Sequence, residues 1–258
     1  MDLQLTGKTA LVTGSTAGIG LAIAASLAAE GASVIVNGRT QQRVDAAVTA
    51  ARAAHGIAAD LGTADGVHAV TDRFPEVDIL VNNLGIFEPK PFEEITDADW
   101  LRFFEVNVLS GVRLSRHYFP SMRSKNWGRI VFVSSESGLQ IPSEMIHYGM
   151  TKTAQLAIAR GLAETTKGTA VTVNSVLPGP TASEGVTEFV DQLARGGQTD
   201  RAAVERDFFS HARPTSLIQR FATPEEVASL VAFVCSPLAS AVNGAALRVD
   251  GGVVRSIA

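Results

Sequence analysis

The stretch LVTGSTAGIGLA, Leu11–Ala22, decides the fold. It begins with a short apolar run and ends in an alanine-rich stretch, and Gly14, Gly18 and Gly20 lie between the two. Glycine allows a sharp turn and a close approach of the main chain to a phosphate, and the unpaired N–H groups at a helix start attract negative charge. The stretch therefore predicts a strand, a glycine turn that suits a pyrophosphate, and a helix. A tight turn without a ligand is the alternative, and a P-loop is excluded because no Gly-Lys-Ser/Thr follows.

The same alternation of apolar runs and alanine-rich stretches continues along the chain. The predicted strands are Lys8–Thr13, Ser33–Asn37, Gly56–Leu61, Val77–Asn83, Arg129–Ser135, Ala170–Val176 and Ala246–Gly252. These runs lack an alternating polar face, which is typical of parallel strands covered by helices on both sides. Thr63, Thr96 and Thr223 precede acid-bearing stretches and are predicted helix N-caps. We therefore expect one α/β domain over residues 1–258, with a doubly wound, Rossmann-type, three-layer fold and a seven-stranded parallel sheet.

A polar segment interrupts the alternation at about residues 180–216 and contains Gly196-Gly197. It follows a predicted strand directly, and doubly wound sheets bind ligands in a crevice at the carboxyl ends of their strands. We expect this insertion to be a substrate lid, with a simple surface excursion as the alternative.

Composition excludes several classes of function. The chain has 258 residues, a formal net charge of −4 and no Lys/Arg-rich run, so a nucleic-acid partner is not expected. The amino end has only a short apolar run, which predicts neither a secretory signal nor a membrane anchor, and we expect a cytoplasmic protein. The single cysteine, Cys235, lies in an apolar helical segment without zinc-site companions; it is predicted to be a buried thiol, and no metal site is expected.

A second informative stretch is IHYGMTK, Ile146–Lys152. Tyr148 and Lys152 are four residues apart, so on a helix they project from the same face. An ammonium beside a phenol favours the phenolate and lowers the pKa of the phenol from its ordinary value of about 10, which would suit general acid–base catalysis. Taken alone, an exposed helical pair is an equal alternative.

Six features in order resemble the single-domain short-chain dehydrogenase/reductase family. They are TGSTAGIG (13–20), NNLG (82–85), Asn107, Ser135, YGMTK (148–152) and VNSVLPGP (173–180), and the resemblance extends from Gly7 to about Gly252. It implies an NAD(P)(H)-dependent oxidoreductase that interconverts a carbonyl and a secondary alcohol by hydride transfer.

The resemblance implies a catalytic group of Asn107, Ser135, Tyr148 and Lys152. The family's separation of thirteen residues between serine and tyrosine selects Ser135 over Ser134, which is expected to support the site. By the same resemblance Tyr148 is the general acid/base, Ser135 holds the substrate oxygen, Lys152 also binds the nicotinamide ribose, and a water joins Asn107 to Lys152.

Two positions depart from the family pattern. Leu84 stands where alanine is usual, and we expect it to reshape the pocket beside the cofactor. Gly149 stands where serine or alanine is more frequent, at a cost of about 1 kcal/mol in helix propensity. Neither change removes a reacting group.

The end of the second strand predicts the cofactor. An acid there would bind the adenosine ribose 2′-hydroxyl and repel a 2′-phosphate, but the position falls on Gly38, followed by Arg39. Arginine pairs with phosphate bidentately, so NADP(H) is favoured over NAD(H). Against this, Ala17 stands where NADP-type relatives often carry a basic residue, and Arg39 has the alternative of a solvated arginine at a helix start. The cofactor-binding residues that the resemblance implies are Gly14, Ser15, Thr16, Gly18, Ile19, Gly20, Arg39, Asp60 and Leu61 near the adenosine half, and Asn83, Gly85, Tyr148, Lys152, Pro178, Gly179 and Thr181 toward the nicotinamide.

The substrate is expected to be a small carbonyl compound or alcohol. Pocket candidates are Glu136, Gln140, Met145 and His147, together with Phe87. Glu136 follows the predicted catalytic serine, which favours a polar or hydroxylated substrate; an exposed structural acid is the alternative.

Two other functions and an assembly state are predicted less directly. A 3-oxoacyl-(acyl-carrier-protein) reductase is the main alternative, although Asn126 and Thr169 stand where such relatives typically carry arginines. A non-catalytic NADP-binding regulator is a remote alternative, because Tyr148 and Lys152 are both present. The apolar helices Trp100–Phe119 and Thr153–Ala163 are expected either to form the subunit interfaces of a homotetramer or homodimer, or to belong to the core.

Overall fold

The computed structural model describes residues 2–184, 186–187 and 200–257. The strands are β1 Thr9–Val12, β2 Ser33–Gly38, β3 His55–Ala58, β4 Ile79–Asn82, β5 Gly128–Val133, β6 Val171–Pro178 and β7 Ala246–Val249. The helices are α1 Gly18–Ala29, α2 Gln41–Ala51, α3 Ala64–Arg73, α4 Asp97–Phe104, α5 Ser110–Ser124, α6 Ile146–Glu164, α7 Arg201–His211 and α8 Pro224–Cys235, and a π-helical turn, Glu105–Leu109, joins α4 to α5. Among these helices none has the length and apolarity that a membrane crossing needs.

The seven strands form one parallel sheet in the order β3-β2-β1-β4-β5-β6-β7. This confirms the predicted doubly wound α/β fold. The chain leaves β1 toward β2 on one side and reaches β4 on the other, so the direction of winding reverses between β1 and β4. A crevice opens at the carboxyl ends of strands at such a reversal, and the glycine turn lies there.

Side chains of successive residues in β1 enter different cores. Ala10 and Val12 pack with α1 and α8 on one face, whereas Leu11 packs on the other face with Leu114 and other residues of α5. Both faces of the sheet are therefore covered, which explains why the strand runs carry no alternating polar residues. Cys235 lies in the first core with no exposed surface, as predicted, and burial raises the pKa of its thiol to about 12.

The predicted helix starts are confirmed. Thr63 caps α3 by accepting a hydrogen bond from the N–H of Gly66. Thr96 before α4 and Thr223 before α8 each form a reciprocal capping box with an acid three residues later. Each box satisfies two N–H groups that a bare helix end would leave unpaired.

Five strands end before their predicted last residue, and two of them, β3 and β7, end three residues early. β3 stops at Ala58 because the chain turns at Asp60, whose carboxylate accepts a hydrogen bond from the N–H of Gly62. β7 stops at Val249 because Gly251 and Gly252 adopt φ angles of +63° and +80°. Of the predicted insertion at about residues 180–216, residues 185 and 188–199 lie outside the described part of the chain.

Candidate active site

The glycine turn is shaped by two left-handed glycines and one close contact. Gly14 and Gly18 have φ angles of +59° and +53°, which side chains rarely tolerate. A Cβ at Gly20 would lie 2.5 Å from both the Asn83 amide nitrogen and the Gly14 carbonyl oxygen. The Nδ2 of Asn83 donates to the carbonyls of Thr13 and Gly14, at 2.9 and 3.1 Å, so the end of β4 holds the turn in place.

The amino end of α1 is free to meet an anion. Ala17, the residue at its N-cap, offers no side-chain cap, and no described side chain takes that place. Gly18 and Ile19 lead into the helix, so their N–H groups are among those that an α-helix leaves without an internal partner. A cradle of glycines at a helix start fits the pyrophosphate of a dinucleotide.

Ser15 differs from the prediction. It is fully buried, its N–H donates to the carbonyl of Asn37, and its hydroxyl donates to the carbonyl of Val12 and accepts from the N–H of Asn37. The polar groups of Ser15 therefore fix β1 against β2. Its predicted contact with the cofactor remains a prediction, and its N–H and hydroxyl proton are already used within the fold.

The end of β2 leaves little room for an acid. A Cβ at Gly38 would lie 2.3 Å from the Cγ2 of Thr16, so the Thr16 side chain occupies the position where an acidic side chain would begin. Arg39 follows and is exposed, and no described residue pairs with its guanidinium. Thr16, Gly38 and Arg39 form the part of the crevice where the adenosine ribose of the cofactor is predicted to bind, and where NADP(H) and NAD(H) would be distinguished.

Asp60 and Leu61 follow β3. Asp60 is exposed and holds the turn before α3, and the Leu61 side chain lies in the core with 1% exposure. Any contact of Leu61 with a ligand would therefore involve its main chain. The predicted adenine contacts of both residues remain predictions.

Three predicted residues lie at the carboxyl end of the buried strand β6. Gly179 packs so closely that its Cβ would lie 2.5 Å from the Asp250 carbonyl oxygen, and Thr181 donates its hydroxyl back to the Gly179 carbonyl at 2.9 Å. Pro178 is the last residue of β6. They stand at the same edge of the sheet as the glycine turn, and their predicted contacts with a nicotinamide remain predictions.

Asn107 lies in the π-helical turn and all of its polar groups are in use. Its Oδ1 accepts from the N–H of Ile86 at 2.8 Å, and its Nδ2 donates to the Ile86 carbonyl and to the Thr151 hydroxyl, each at 3.0 Å. Its carbonyl accepts a hydrogen bond of 2.6 Å from the Gln155 side chain. A π-turn shifts the following residues relative to an α-helix and is frequent at functional sites.

Lys152 is buried beside Asn107. Its Nζ donates to the carbonyl of Val133 at 3.0 Å and to the Oε1 of Gln155 at 3.3 Å. A Cβ at Gly85 would lie 3.4 Å from this nitrogen, so Gly85 keeps the approach to Lys152 open. Burial lowers the pKa of Lys152 to about 8, against the opposing effect of the Glu136 carboxylate.

Gln155 is a residue that the sequence analysis missed. Its amide joins Lys152 to the Asn107 carbonyl directly, where the family resemblance implied a water. The signal was present, since Gln155 is three residues after Lys152 and so shares its helix face.

Tyr148 stands on α6 one turn before Lys152, whose Nζ is 5.6 Å from the centre of the phenol ring. The expectation that Lys152 lowers the pKa of this phenol is wrong for this structure. Burial raises the pKa of Tyr148 well above its usual range, and the Glu136 carboxylate raises it further; a hydrogen bond with Ser135 and the charge of Arg213 act in the opposite direction. The phenol is therefore held in its protonated form.

The two serines after β5 have different roles. Ser134 donates to the Lys152 carbonyl at 2.8 Å and so fixes α6, which agrees with the supporting role expected of it. Ser135 is 6% exposed; its hydroxyl accepts from the N–H of Ser137 and donates to the Glu136 carboxylate through a very short contact.

Glu136 is buried, so the alternative of an exposed structural acid is wrong. Its Oε1 accepts from the Nε of Arg213 at 3.1 Å, and Arg213 also bonds Glu144 through Nη1 at 2.9 Å. Arg213 comes from the polar insertion. No local pattern predicts this contact, because 77 residues separate Arg213 from Glu136.

The other pocket candidates, Phe87, Gln140 and Met145, differ in their exposure. The Phe87 ring, 52% exposed, is 6.4 Å from the Tyr148 ring and faces it edge-on. Gln140 is exposed and Met145 is partly buried, and their contact with substrate remains a prediction.

His147 does not line the pocket, and that prediction is wrong. Its ring has no exposed surface and packs against Phe103 and Trp100 of α4, at 4.1 and 6.0 Å between ring centres. Neighbouring residues on a helix point about 100° apart, so a helix that turns Tyr148 toward the site turns His147 away from it. Neither ring nitrogen has a hydrogen-bond partner among the described residues, and burial lowers the pKa of the imidazole.

Comparison with known proteins identifies the family. A family model described as short chain dehydrogenase matches residues 8–194, which is more than half of the chain. The protein belongs to the short-chain dehydrogenases. Within the described residues of this short-chain dehydrogenase, no group of three His, Cys, Asp or Glu side chains is placed to bind a metal.

Three relatives of this short-chain dehydrogenase are informative. The uncharacterized oxidoreductase YvaG of Bacillus subtilis is 52% identical over 100% of both chains. The D-beta-hydroxybutyrate dehydrogenase of Cupriavidus necator is 35% identical over 97% of this chain and 99% of its own. Among solved structures, L-sorbose reductase from Gluconobacter frateurii, complexed with NADPH and L-sorbose, is 31% identical with a TM-score of 0.93 over 100% of both chains. These relatives support an oxidoreductase and differ in substrate.

Proposed function

We propose that this short-chain dehydrogenase is an NADP(H)-dependent enzyme that reduces a small ketone to a secondary alcohol and catalyses the reverse oxidation. The observation that carries the proposal is the convergence of Ser135, Tyr148 and Lys152 beside a glycine turn that suits a pyrophosphate. The short-chain dehydrogenase family and the oxidoreductases among the relatives support it.

In the proposed reaction, the cofactor and the side chains of the protein carry out different steps. A bound nicotinamide supplies or accepts the hydride, and the protein supplies position and proton transfer. In reduction, Tyr148 donates its phenolic proton to the substrate oxygen, while the Ser135 hydroxyl donates a hydrogen bond to the same oxygen. In oxidation, the phenolate of Tyr148 takes the proton of the alcohol. The phenol of Tyr148 is protonated at neutral pH, as donation to the substrate oxygen requires, whereas its raised pKa means that the phenolate needed for oxidation forms only at high pH.

Lys152 keeps one donor for a ligand. An ammonium has three N–H groups, and the structure uses two of them, toward Val133 and Gln155. We assign the third to the ribose hydroxyls of the cofactor. Asn107 and Gln155 hold Lys152 in the position where this contact is made.

The preference for NADP(H) rests on the end of β2. Thr16 fills the space in which an acid at position 38 would stand, and the exposed Arg39 is available to a 2′-phosphate. NADPH in the L-sorbose reductase complex supports the same choice. The ratio of kcat/KM for NADPH and NADH tests it, and a preference for NADH would reject it.

The acyl-carrier-protein reductase is a weaker candidate. Its acidic carrier calls for arginines at the entrance, and Asn126 and Thr169 stand in the matching places. Both side chains serve the fold: Asn126 accepts from the N–H of Ala170 at 2.9 Å, and Thr169 donates to the Thr166 carbonyl at 2.7 Å. A regulator without turnover is not favoured, because Tyr148 and Lys152 are both in place.

A panel of ketones and alcohols, followed by the absorbance of NADPH, tests the proposed reaction. We expect reduction of at least one class of small ketone by the wild-type protein. Tight NADPH binding without turnover of a broad panel would instead support the regulator.

The assembly is proposed to be a homotetramer or homodimer. Leu101 and Phe104 of α4 are 69% and 38% exposed in the single chain, which suits a subunit contact. Light scattering during size-exclusion chromatography measures the molecular mass in solution directly. A monomeric mass would show that Leu101 and Phe104 face solvent and form no subunit contact.

A further inference from the structure

Glu136 is a buried carboxylate in direct contact with the proposed substrate-binding serine. Its side chain is 6% exposed and that of its partner Arg213 is 11% exposed. Oε2 receives the hydroxyl of Ser135, the N–H of Ser137 at 2.6 Å and the hydroxyl of Ser137 at 2.9 Å, whereas Oε1 receives only the Arg213 Nε. The proposed reaction gives this carboxylate no task.

We propose that Glu136, held by Arg213, accepts a hydrogen bond from a second substrate hydroxyl on the carbon next to the one that reacts. The enzyme then prefers α-hydroxy ketones, and in the reverse direction vicinal diols. This inference rests on the proposed carbonyl reduction and specifies its substrate class.

The Ser135 hydroxyl has a single proton to donate. In the structure that proton is directed to Glu136. During reduction it must turn to the substrate oxygen, because a hydroxyl donates only one hydrogen bond. Oε2 of Glu136 then loses a donor, and a buried carboxylate with too few donors is destabilised.

A substrate hydroxyl can replace the lost donor only if it lies close to the reacting oxygen. Ser135 Oγ contacts Glu136 and, in the proposed reaction, also contacts the substrate oxygen. The replacing hydroxyl must therefore lie within one or two bonds of the reacting carbon. An α-hydroxyl meets this condition, and Oε1 has a further acceptor position for a second hydroxyl.

The alternative ligand for this cluster is a substrate carboxylate bound by Arg213. Two carboxylates already hold this guanidinium, through Nε and Nη1, and Nη1 also donates to the Ala212 carbonyl at 2.8 Å. An anionic substrate would approach Glu136 and Glu144 as well as Arg213. The charges therefore favour a neutral, hydroxylated substrate, and Arg213 acts as a positioning residue for Glu136.

The test compares hydroxyacetone with butan-2-one, which replaces the α-hydroxyl by a methyl group of similar size. For the wild-type enzyme and variants, kcat/KM with NADPH is measured for both ketones, and the ratio of the two values is the readout. A general loss of folded or active enzyme lowers both kcat/KM values by the same factor and leaves their ratio unchanged. One hydrogen bond to a charged group is worth roughly a tenfold to hundredfold preference, so we expect Glu136→Gln to lower the ratio about tenfold or more.

Two further variants complete the design. Arg213→Met should lower the ratio in the same direction, because it releases Glu136. Arg220→Met is the control: it removes an exposed arginine that pairs with Glu226 at 2.7 Å, and it should not change the ratio. A ratio that Glu136→Gln does not change overturns the inference, as does a wild-type enzyme that reduces acetoacetate or butan-2-one better than hydroxyacetone.

Failure of the proposed reaction would look different. In that case no ketone would be reduced, or turnover would survive Tyr148→Phe. Tyr148-dependent reduction with an unchanged ratio in Glu136→Gln rejects the substrate class and keeps the reaction.

Discussion

The Nε of Arg213 lies 3.1 Å from the Oε1 of Glu136, and this contact joins the polar insertion to the residue that follows Ser135. At the start of the insertion, Ser183 lies close to the glycine turn, since a Cβ added at Gly18 would lie 3.1 Å from the Ser183 Cβ. The described parts of the insertion thus contact both halves of the crevice. A role of this insertion as a substrate lid remains a prediction.

Loss of Arg213 should destabilise the protein. Arg213→Met leaves Glu136 buried without its cation, and removal of one partner of a buried pair costs about 3 kcal/mol or more in the free energy of unfolding. The double variant Glu136→Gln/Arg213→Met should recover part of this loss, because no unpaired charge remains. Urea unfolding measures both, with Arg220→Met as the control for an exposed pair, expected to cost less than about 1 kcal/mol. Equal losses in Arg213→Met and Arg220→Met would contradict the buried pair.

The pH dependence of oxidation should respond to Glu136. The carboxylate raises the pKa of Tyr148, so its removal in Glu136→Gln lowers that pKa and lets the phenolate form at lower pH. The rise of kcat/KM for butan-2-ol oxidation should therefore move to lower pH in the variant. If the pH profile of kcat/KM is unchanged in the variant, or moves to higher pH, the charge of Glu136 does not raise the pKa of Tyr148.

Arg39 should determine the choice between NADPH and NADH. Arg39→Gln removes the cation assigned to the 2′-phosphate and should lower kcat/KM for NADPH about tenfold or more, with a much smaller effect on NADH. Arg52→Gln, at the exposed end of α2, makes the same change in net charge away from the crevice and serves as the control. If the two substitutions lower kcat/KM for NADPH equally, Arg39 is a solvated residue that does not contact the 2′-phosphate.

Two glycines of α6 should respond differently to alanine. A Cβ at Gly161 would meet nothing within 4 Å, so Gly161→Ala should raise the free energy of unfolding by up to about 1 kcal/mol. A Cβ at Gly149 would lie 2.7 Å from the Ile141 side chain and 3.1 Å from the Ser137 carbonyl, so the same change there should bring little gain or a loss. Thermal unfolding of both variants compares them, and equal stabilisation would contradict the packing at Gly149.

Local patterns predicted the sheet and most of the polar residues at its edge. Glycine spacing, apolar runs and N-cap threonines act over a few residues; α8 begins at the predicted Pro224, and β1 begins one residue after its predicted start. The four-residue spacing of Tyr148 and Lys152 likewise placed both on α6.

The electrostatics of the site could not be predicted in this way. The pKa of Tyr148 depends on burial and on Glu136 and Arg213, which tertiary folding brings together from distant positions. His147 was misplaced for a related reason, since only packing against Phe103 shows which way its side chain turns. At Gly149, which departs from the family pattern, the Ile141 side chain occupies the space that a Cβ would need, and the sequence alone does not show this contact.

We propose that Tyr148 transfers the proton in an NADP(H)-dependent carbonyl reduction. The most direct test is the kcat of Tyr148→Phe with NADPH and the best ketone of the panel, with NADPH affinity and thermal unfolding measured alongside. General acid catalysis contributes at least about 100-fold, so we predict a loss of at least that size with cofactor binding and folding intact. A folded Tyr148→Phe variant with turnover within about tenfold of the wild-type enzyme would contradict this mechanism.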